Sequence, residues 1–336
     1  MRCLVTGGAG FIGSHLVESL LGKGYEVTVI DDLSTGSLSN LSHVRSNNRL
    51  EFIKGDILVL PEIEYLVSKV DCVYHLAAAV GVDLVIREPV RTIVTNVNCT
   101  ERVLKAASRH KTRVLIASTS EVYGKSISDV FSEDDDLLIG PPLRSRWGYA
   151  CSKLLDEFYS MAFYHETSLP VIVARLFNTV GPRQTGRYGM VIPRFIESAL
   201  KNEPIHVFGT GEQSRCFCHV KDTVRALISL AESSVSGDIF NVGSNWDCTI
   251  NQLAKRIIVR SGSRSVIEHV SYDKAYAPGF DDMMRRFPDI SKIKKAFNWE
   301  PSNLLDDIID DVICDMKNMK GKGCFCTTPK RGQRSS

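Results

Sequence analysis

The sequence TGGAGFIG (6–13) restricts the possible folds more than any other stretch of the chain. It follows a short apolar run (2–6) and precedes an amphipathic stretch (11–23), so it lies where a strand turns into a helix. Its glycines fit GxGxxG, a pattern that is weak alone and strong between a strand and a helix. Such a turn lets the backbone approach a pyrophosphate, which binds at the N-terminus of the helix. The residues predicted to contact a dinucleotide here are Gly7, Gly10, Phe11, Ile12 and Gly13.

Apolar strands alternate with helices through the first 180 residues. The strand candidates are apolar throughout, which is typical of strands that are buried on both faces. Helical stretches (11–23, 89–110 and 149–166) separate several of them, and this alternation is typical of parallel sheets. We therefore predict an α/β fold with a Rossmann doubly wound parallel sheet. The predicted strands are 2–6, 26–30, 51–55, 72–76, 113–117 and 171–175.

The pattern of elements changes after residue 180. Short strands at 205–209 and 239–243 lie between helical segments, and we predict a smaller mixed substrate lobe over 181–316 beside a dinucleotide-binding domain over 1–180. Residues 317–336 carry six Lys and Arg and no acidic residue, which is typical of a disordered basic tail. The predicted helices of the lobe are 190–202, 220–233 and 249–261.

An aspartate at the end of the second strand favours NAD over NADP. Asp31 lies 18 residues beyond Gly13. A carboxylate at this place accepts hydrogen bonds from the adenosine ribose and repels a 2′-phosphate. Further cofactor contacts predicted from the ends of the following strands are Asp56, Ile57, Leu76, Ala77 and Ala78.

A tyrosine and a lysine share one face of the predicted helix 149–166. Tyr149 and Lys153 are four positions apart, so their side chains lie on the same side. A free phenol has a pKa near ~10 and is a poor base at neutral pH. A neighbouring ammonium stabilises the phenolate and makes it a usable proton acceptor. Tyr65 and Lys69 repeat the spacing without a polar strand end before them, so we predict that only Tyr149 and Lys153 are catalytic.

Three hydroxyls and a carboxylate follow the buried strand that begins at residue 113. A carboxylate beside hydroxyls at the end of a core strand, in ASTSEVYG (117–124), is unusual for packing alone. We predict that Thr119, Ser120 and Glu121 belong to the catalytic site. Tyr149 lies in the next helix, from which it can face this strand end.

These motifs together resemble the extended short-chain dehydrogenase/reductases that modify nucleotide-diphosphate sugars. The resemblance spans roughly residues 1–315, and the stretches that carry it are TGGAGFIG, Asp31, GDI, HLAA, STSEVYG, YACSK, RLFNTVGPR and GTGEQSRCFCHVKD. It implies an enzyme with bound NAD that oxidises the C4 hydroxyl of a nucleotide sugar, with a UDP-sugar favoured. Tyr149 would take the proton with Thr119 as its hydroxyl partner, while Lys153 would hold the phenol and the ribose. A homodimer formed through the helices near 89–110 and 149–166 is implied as well.

The residues after Thr119 bear on the reaction that follows oxidation. Family members that only epimerise C4 usually have small or neutral residues there, whereas Glu121 is typical of those that act further on the 4-ketone. That ketone makes a C6 carboxylate a β-keto acid, which loses CO₂ readily, and a nearby acid or base can manage the protons. The stretch 118–153 and Arg286 in DDMMRRFPDI resemble UDP-glucuronate decarboxylases, in which the matching arginine binds substrate and is assigned as the proton donor at C5.

We therefore predict NAD-dependent decarboxylation of UDP-glucuronate to UDP-xylose or a UDP-4-keto-pentose. The alternatives are a UDP-hexose 4-epimerase, a 4,6-dehydratase and a non-enzymatic NAD-binding sensor. The resemblance also implies that Asn178 and Arg215 contact the diphosphate and sugar, because an arginine donates two parallel hydrogen bonds to phosphate.

The remaining predictions concern location and other partners. No apolar run approaches the roughly 20 residues that cross a bilayer, and the chain opens directly on a core strand, so we predict a cytoplasmic protein without a membrane span. The cysteines show no zinc-site spacing, so we predict no metal. We predict no nucleic-acid partner for the basic tail.

Overall fold

A parallel sheet with helices on both faces forms the first part of the molecule. The computed structural model describes residues 1–81, 85, 87–186, 190–271 and 286–319. The sheet has seven strands, and every neighbouring pair is parallel. They are β1 (Arg2–Thr6), β2 (Glu26–Asp31), β3 (Leu50–Lys54), β4 (Cys72–His75), β5 (Arg113–Thr119), β6 (Val171–Leu176) and β11 (Asp238–Val242).

Two hydrophobic cores lie on the two faces of the sheet, as expected for strands that are apolar throughout. One core joins the sheet to α1 (Phe11–Gly22) and α6 (Val220–Glu232). The other joins it to the helices of the opposite face. Those helices are α2 (Ile63–Ser68), α3 (Pro89–His110) and α4 (Arg146–Thr167). The predicted Rossmann doubly wound fold is confirmed.

The strand order β11-β6-β5-β4-β1-β2-β3 reverses direction between β1 and β4. Ligands of such sheets bind beyond the carboxyl ends of the strands at this reversal. The glycine-rich turn follows β1, and the polar stretch with Glu121 follows β5, so both lie at that edge. The sheet thus brings the two motifs of the sequence to one place.

One strand lies in a different place from the one predicted. From the sequence, 239–243 was expected in the smaller lobe, but β11 pairs with β6 at the edge of the main sheet. The chain returns through α6, which packs on α1, and the new edge strand covers β6. Sheet order depends on contacts between distant residues, which a local apolar pattern does not encode.

The smaller lobe has its own hydrophobic core. Its helices are α5 (Val191–Lys201), α7 (Ile250–Ser261) and α9 (Leu305–Met319), and α8 (Ser291–Phe297) packs near β11. The short strands form three pairs, β7 with β10, β9 with β12, and β8 with β13. These strands are β7 (Thr179–Val180), β8 (Ile205–Phe208), β9 (Ser214–Cys216), β10 (Cys218–His219), β12 (Asp247–Thr249) and β13 (Ile267–Val270).

The end of the predicted lobe and the predicted tail meet inside α9, which continues to Met319. The rest of the predicted tail, 320–336, lies outside the described residues, as do residues 281–285 before Arg286. Within the described part of the chain, no helix is long and apolar enough to cross a bilayer.

Candidate active site

The turn between β1 and α1 requires glycine at two positions. Gly7 has φ of +71°, a conformation that is strained for other residues. A Cβ atom on Gly13 would lie 2.1 Å from the carbonyl oxygen of Gly7, so no side chain fits there. Gly10 caps α1 without a side-chain hydrogen bond, which leaves the first N–H groups of the helix for a ligand. This is the arrangement that binds a pyrophosphate.

A cavity of about 330 Å³ opens in front of this turn. Its lining fits a dinucleotide, because the lining residues extend from the glycines past the ends of β2, β3 and β4 to Tyr149. Lys153, also predicted to contact the cofactor, is not among the described residues that line the cavity. The predicted cofactor residues that line it are Gly7, Gly10, Phe11, Ile12, Gly13, Asp31, Asp56, Ile57, Leu76, Ala77, Ala78 and Tyr149.

Asp31 is fixed by the backbone at the end of β2. Its carboxylate accepts hydrogen bonds from the N–H groups of Ala9 at 2.9 Å and Leu33 at 2.8 Å. Burial raises the pKa of Asp31, and these two N–H groups oppose that effect. The fixed carboxylate lines the cavity where a ribose would lie.

Thr119 and Tyr149 meet at the end of β5. Thr119 caps the 3₁₀ turn Ser120–Tyr123, and its hydroxyl accepts a hydrogen bond from the N–H of Glu121 at 3.2 Å. Loss of hydration raises the pKa of Tyr149, the charge of Glu121 raises it further, and a hydrogen bond with Thr119 opposes both. The ligand-free phenol is therefore protonated at neutral pH.

Lys153 lies one turn after Tyr149 on α4. Its Nζ is 2.6 Å from Oδ2 of Asp156, and both side chains are buried. Asp156 was not predicted as this partner from the sequence. Residues three and four positions from Lys153 both lie beside it on the helix, so spacing alone does not show which of them it pairs with. The ammonium thus has a carboxylate partner inside the protein.

Glu121 lies between two arginines. Its carboxylate accepts hydrogen bonds from Nη1 of Arg286 and, at 3.2 Å, from Nη2 of Arg146. Burial would raise the pKa of Glu121, but the charges of Arg286 and Arg146 outweigh it and lower the pKa from 4.5 to about 2. Glu121 is therefore an anion at neutral pH, and the cluster of these three residues carries a net positive charge.

A buried ion pair between β6 and α4 contacts the end of β5. Arg175 of β6 donates to both oxygens of Glu157 at 2.8–3.2 Å, and Ser118 donates to the same carboxylate at 2.5 Å. Ser120 is buried beside Ser118 and Thr119. Neither Glu157 nor Arg175 was selected from the sequence, since their pairing depends on the contact between α4 and β6.

Tyr123 links the 3₁₀ turn to the segment that carries Arg286. The hydroxyl of Tyr123 donates to Oδ1 of Asn241 at 2.7 Å and accepts from Arg175 at 2.9 Å. The amide nitrogen of Asn241 in turn donates to the carbonyl groups of Phe131 at 2.9 Å and Asp289 at 3.1 Å.

Phe131 continues the link toward Arg286. Its N–H donates to the carbonyl of Phe287 at 2.7 Å, and its own carbonyl accepts from the N–H of Asp289 at 2.9 Å. Phe131 thus pairs with the residues directly after Arg286. Two stretches that are more than a hundred residues apart in sequence are held in one register, which brings Arg286 to Glu121.

Asn178 and Arg215 lie at the junction between the two parts of the molecule. The side chain of Asn178 donates to the carbonyl of Cys216 at 2.8 Å, which fixes it beside β9. Arg215 is 9% exposed and donates to the carbonyl of Ser214 at 2.7 Å. Both residues are held in place from the side of the smaller lobe.

Some residues at the site were not predicted from the sequence. Arg183, which lines the cavity, lies against Ser14 at the start of α1 and pairs with Glu18 at 2.7 Å. Its motif GPR was noted, but no single residue pattern distinguishes it from other arginines. Tyr65 and Lys69, by contrast, lie on the surface at α2, where the ammonium is 5.1 Å from the ring centroid, away from the cavity lining.

Among the described residues, no group of three or more His, Cys, Asp or Glu side chains could hold a metal ion.

Comparison with known proteins gives consistent results over nearly the whole chain. Residues 4–312 match the family described as GDP-mannose 4,6 dehydratase. A UDP-N-acetyl-alpha-D-glucosaminuronate decarboxylase of Bacillus cytotoxicus is 41% identical over 90% of this chain and 93% of its own length. UDP-glucuronic acid decarboxylase 1 of Arabidopsis thaliana is 36% identical over 96% of this chain and 72% of its own length.

A solved structure shows the same fold. The UDP-glucuronic acid 4-epimerase of Bacillus cereus, crystallised with UDP-glucuronic acid and NAD, superimposes with a TM-score of 0.85 at 29% identity, covering 95% of this chain and 100% of that one. The predicted family of NAD-dependent nucleotide-sugar enzymes is thereby confirmed. The chain belongs to the GDP-mannose 4,6-dehydratase family of extended short-chain dehydrogenase/reductases.

Proposed function

We propose that the chain is an NAD-dependent decarboxylase of a UDP-linked hexuronate, with UDP-glucuronate as the first candidate substrate. The observation that carries the proposal is the position of Glu121 between Arg146 and Arg286, next to Thr119 and Tyr149. Oxidation at C4 alone needs no such cluster. Its net positive charge suits a sugar that carries a carboxylate.

The first step is oxidation at C4 of the sugar. When bound, NAD supplies the acceptor for the C4 hydride. Tyr149 takes the proton of the C4 hydroxyl, and Thr119, which hydrogen-bonds the phenol, orients it. Lys153 assists by placing a positive charge near the phenolate, which lowers the pKa of Tyr149. The glycine turn and Asp31, which line the cavity, would hold the dinucleotide there.

The second step breaks the bond between C5 and C6. The C4 ketone accepts the electron pair of that bond as CO₂ leaves, and the resulting enolate then takes a proton at C5. We propose that Arg286 binds the sugar and donates this proton to C5, while Glu121 holds Arg286 in place. Ser120 lies in the same 3₁₀ turn and is proposed to contact the sugar. Because the pKa of Glu121 is about 2, the residue acts as an anion and not as a proton donor.

The choice of sugar rests on the relatives. Both relatives named above are decarboxylases of UDP-linked uronic acids, and they differ in whether the sugar is N-acetylated. Asn178 and Arg215 are proposed to hold the diphosphate and sugar from the smaller lobe. The N-acetylated uronate is therefore the second candidate substrate.

A UDP-glucuronate 4-epimerase is the alternative function that a specific observation favours, because the solved structure described above has that activity and the same fold. An epimerase would retain the C6 carboxylate and reduce the ketone again. The two reactions share Tyr149, Thr119 and Lys153, so only the fate of C6 distinguishes them.

The test is incubation of the purified protein with NAD and, separately, UDP-glucuronate, UDP-N-acetylglucosaminuronate and UDP-glucose, followed by mass spectrometry of the nucleotide sugars. Loss of the mass of CO₂ from either uronate is the expected result. An isomer of unchanged mass would show epimerisation, loss of the mass of water would show dehydration, and both would contradict the proposal. Absence of turnover with both uronates would contradict it as well.

We also propose a homodimer formed through α3 and α4. Both helices carry exposed apolar side chains, with Val90 and Val94 one turn apart on α3 and Leu155 and Phe158 on α4. Two copies of this surface would bury it in a four-helix arrangement.

The domain boundary at residue 180, the cytoplasmic location and the disordered tail also stay predictions.

A further inference from the structure

Lys153 has a partner that the proposed chemistry does not use. Its Nζ lies 2.6 Å from Oδ2 of Asp156, three residues further along α4. Lys153 is 3% exposed and Asp156 is completely buried. Tyr149 lines the cofactor cavity, whereas Lys153 is not among the described residues that do so. The ammonium thus points to the interior of the protein.

The pair is not explained by stability. Transfer of two charges from water to the protein interior costs about as much as their attraction returns, and apolar residues of similar volume are often as stabilising. A buried ion pair directly after Tyr149 is therefore better explained by the chemistry of the site than by the packing of α4.

Asp156 forms its ion pair with Lys153, and the neighbouring carboxylate has a different cationic partner. Glu157, the next residue, is neutralised by Arg175 of β6. Burial raises the pKa of Asp156, and the charge of Lys153 opposes that effect. The other titratable groups that interact with the pair or with Tyr149 are Cys99 of α3, His75 of β4 and Glu121 of the 3₁₀ turn.

The pair also affects the phenol. The pKa of Tyr149 is raised most by loss of hydration and next by the charge of Glu121, and the charge of Asp156 raises it further. While Lys153 is paired with Asp156, its positive charge is compensated and stabilises the phenolate less. Tyr149 therefore becomes a better base when Lys153 leaves this partner.

We propose that Asp156 is a positioning residue that holds Lys153 in a resting pair inside the protein, from which Lys153 is released toward the cofactor cavity. The proposal rests on the proposed use of Tyr149 and Lys153 in oxidation. It means that a ribose hydroxyl competes with Asp156 for the ammonium. Asp156 then sets both the affinity for NAD and the pH at which Tyr149 becomes active.

The test replaces Asp156 by Asn, which removes the charge and keeps the shape. NAD affinity, measured by quenching of protein fluorescence, should increase by about tenfold, because the competing carboxylate is gone. The acidic limb of the kcat profile should move to lower pH by about one unit. Unchanged or weaker NAD binding, or an unmoved acidic limb, would overturn the proposal, since those are the results for a structural residue.

Two control variants separate position from charge. Asp156→Glu keeps the carboxylate and should restore the wild-type NAD affinity. Glu166→Gln removes a charge from the far end of α4, about 25 Å from Tyr149, and should change neither measurement. The same shifts in Glu166→Gln would show a general charge effect and would contradict the proposal.

A second pair of variants, both carrying Lys153→Gln, provides a test if the single variant Asp156→Asn does not fold. Lys153→Gln and the double variant Lys153→Gln/Asp156→Asn should bind NAD equally, because Asp156 affects NAD binding only through Lys153. A difference between them would contradict the proposal. The NAD measurements need no sugar, so they remain valid even if neither uronate is a substrate and the proposed function is wrong.

Discussion

Glu121 has a charge state that the sequence does not reveal. A carboxylate beside hydroxyls at a strand end suggests an acid–base catalyst. In the structure, burial would raise its pKa, but Arg286 and Arg146 lower it to about 2. The residue therefore orients two guanidinium groups. Its participation in catalysis stays a prediction from the sequence, which did not indicate this charge state, because both arginines reach it from other parts of the chain.

The first prediction follows from this charge state. Glu121→Gln should lower the rate of CO₂ release by about a hundredfold, because Arg286 loses the anion that holds it. The acidic limb of the pH–rate profile should persist, since a group with a pKa of about 2 is already ionised throughout the working range. It should move to lower pH, because the charge of Glu121, which raises the pKa of Tyr149, is removed. The measurement is kcat between about pH 5 and about pH 9.

Glu62→Gln, which removes an exposed charge at the start of α2, is the matched control and should leave both the rate and the profile unchanged. Disappearance of the acidic limb in Glu121→Gln would show that Glu121 titrates near neutral pH, and the two arginines would then not hold it as an anion.

At the scale of elements, the turn into α1 was predicted correctly because its determinants are local. The glycine spacing and the strand and helix periods around it lie within a few residues of each other. The Lys153–Asp156 pair and the place of β11 were not predicted. A helix presents positions three and four apart to the same side, and strand order depends on contacts made across the whole sheet.

The second prediction concerns this turn. Gly13→Ala should weaken NAD binding by at least about tenfold, because the new Cβ would lie 2.1 Å from the carbonyl oxygen of Gly7 and would displace the start of α1. Gly22→Ala, at the other end of α1, is the control, since a Cβ there meets nothing within 4 Å. Titration of both variants with NAD compares them, and equal affinities would contradict the assignment of this turn to the pyrophosphate.

The third prediction concerns the link between the 3₁₀ turn and the Arg286 segment. Tyr123→Phe removes the hydroxyl between Arg175 and Asn241 and should lower the free energy of unfolding by about 1–2 kcal/mol. It should also reduce kcat several-fold, because Arg286 is held less firmly. Chemical denaturation and steady-state kinetics measure the two effects.

Tyr65→Phe, on an exposed residue of α2, should change neither stability nor kcat. If Tyr123→Phe lowered stability while kcat stayed at the wild-type value, the hydrogen-bonded link would not position Arg286.

At the scale of the whole molecule, the site is assembled from both parts of the chain. Arg286 comes from the segment before α8, Glu121 from the end of β5, and Arg183 is joined to α9 by a hydrogen bond from its N–H to Asp315 at 2.9 Å. The sequence predicted two lobes but could not predict which segments meet at the site.

The fourth prediction tests the proposed dimer. Phe158 is 65% exposed on α4, so Phe158→Arg should place a charge inside the interface and give monomers. Val259→Arg changes an apolar residue on α7 that is 77% exposed and should leave the assembly unchanged. Light scattering after size-exclusion chromatography measures the mass, and a Phe158→Arg protein of wild-type mass would contradict the proposed surface.

The most direct test of the central claim follows the carboxylate carbon itself. In a single turnover with UDP-glucuronate, and with its N-acetylated analogue, labelled at C6, the wild-type protein should release labelled CO₂ after the absorbance of NADH appears. Glu121→Gln should still produce NADH at a comparable rate while release of labelled CO₂ is strongly slowed. Retention of the label in the sugar by the wild-type protein, with NADH formed and consumed, would contradict decarboxylation and show that the site only inverts C4.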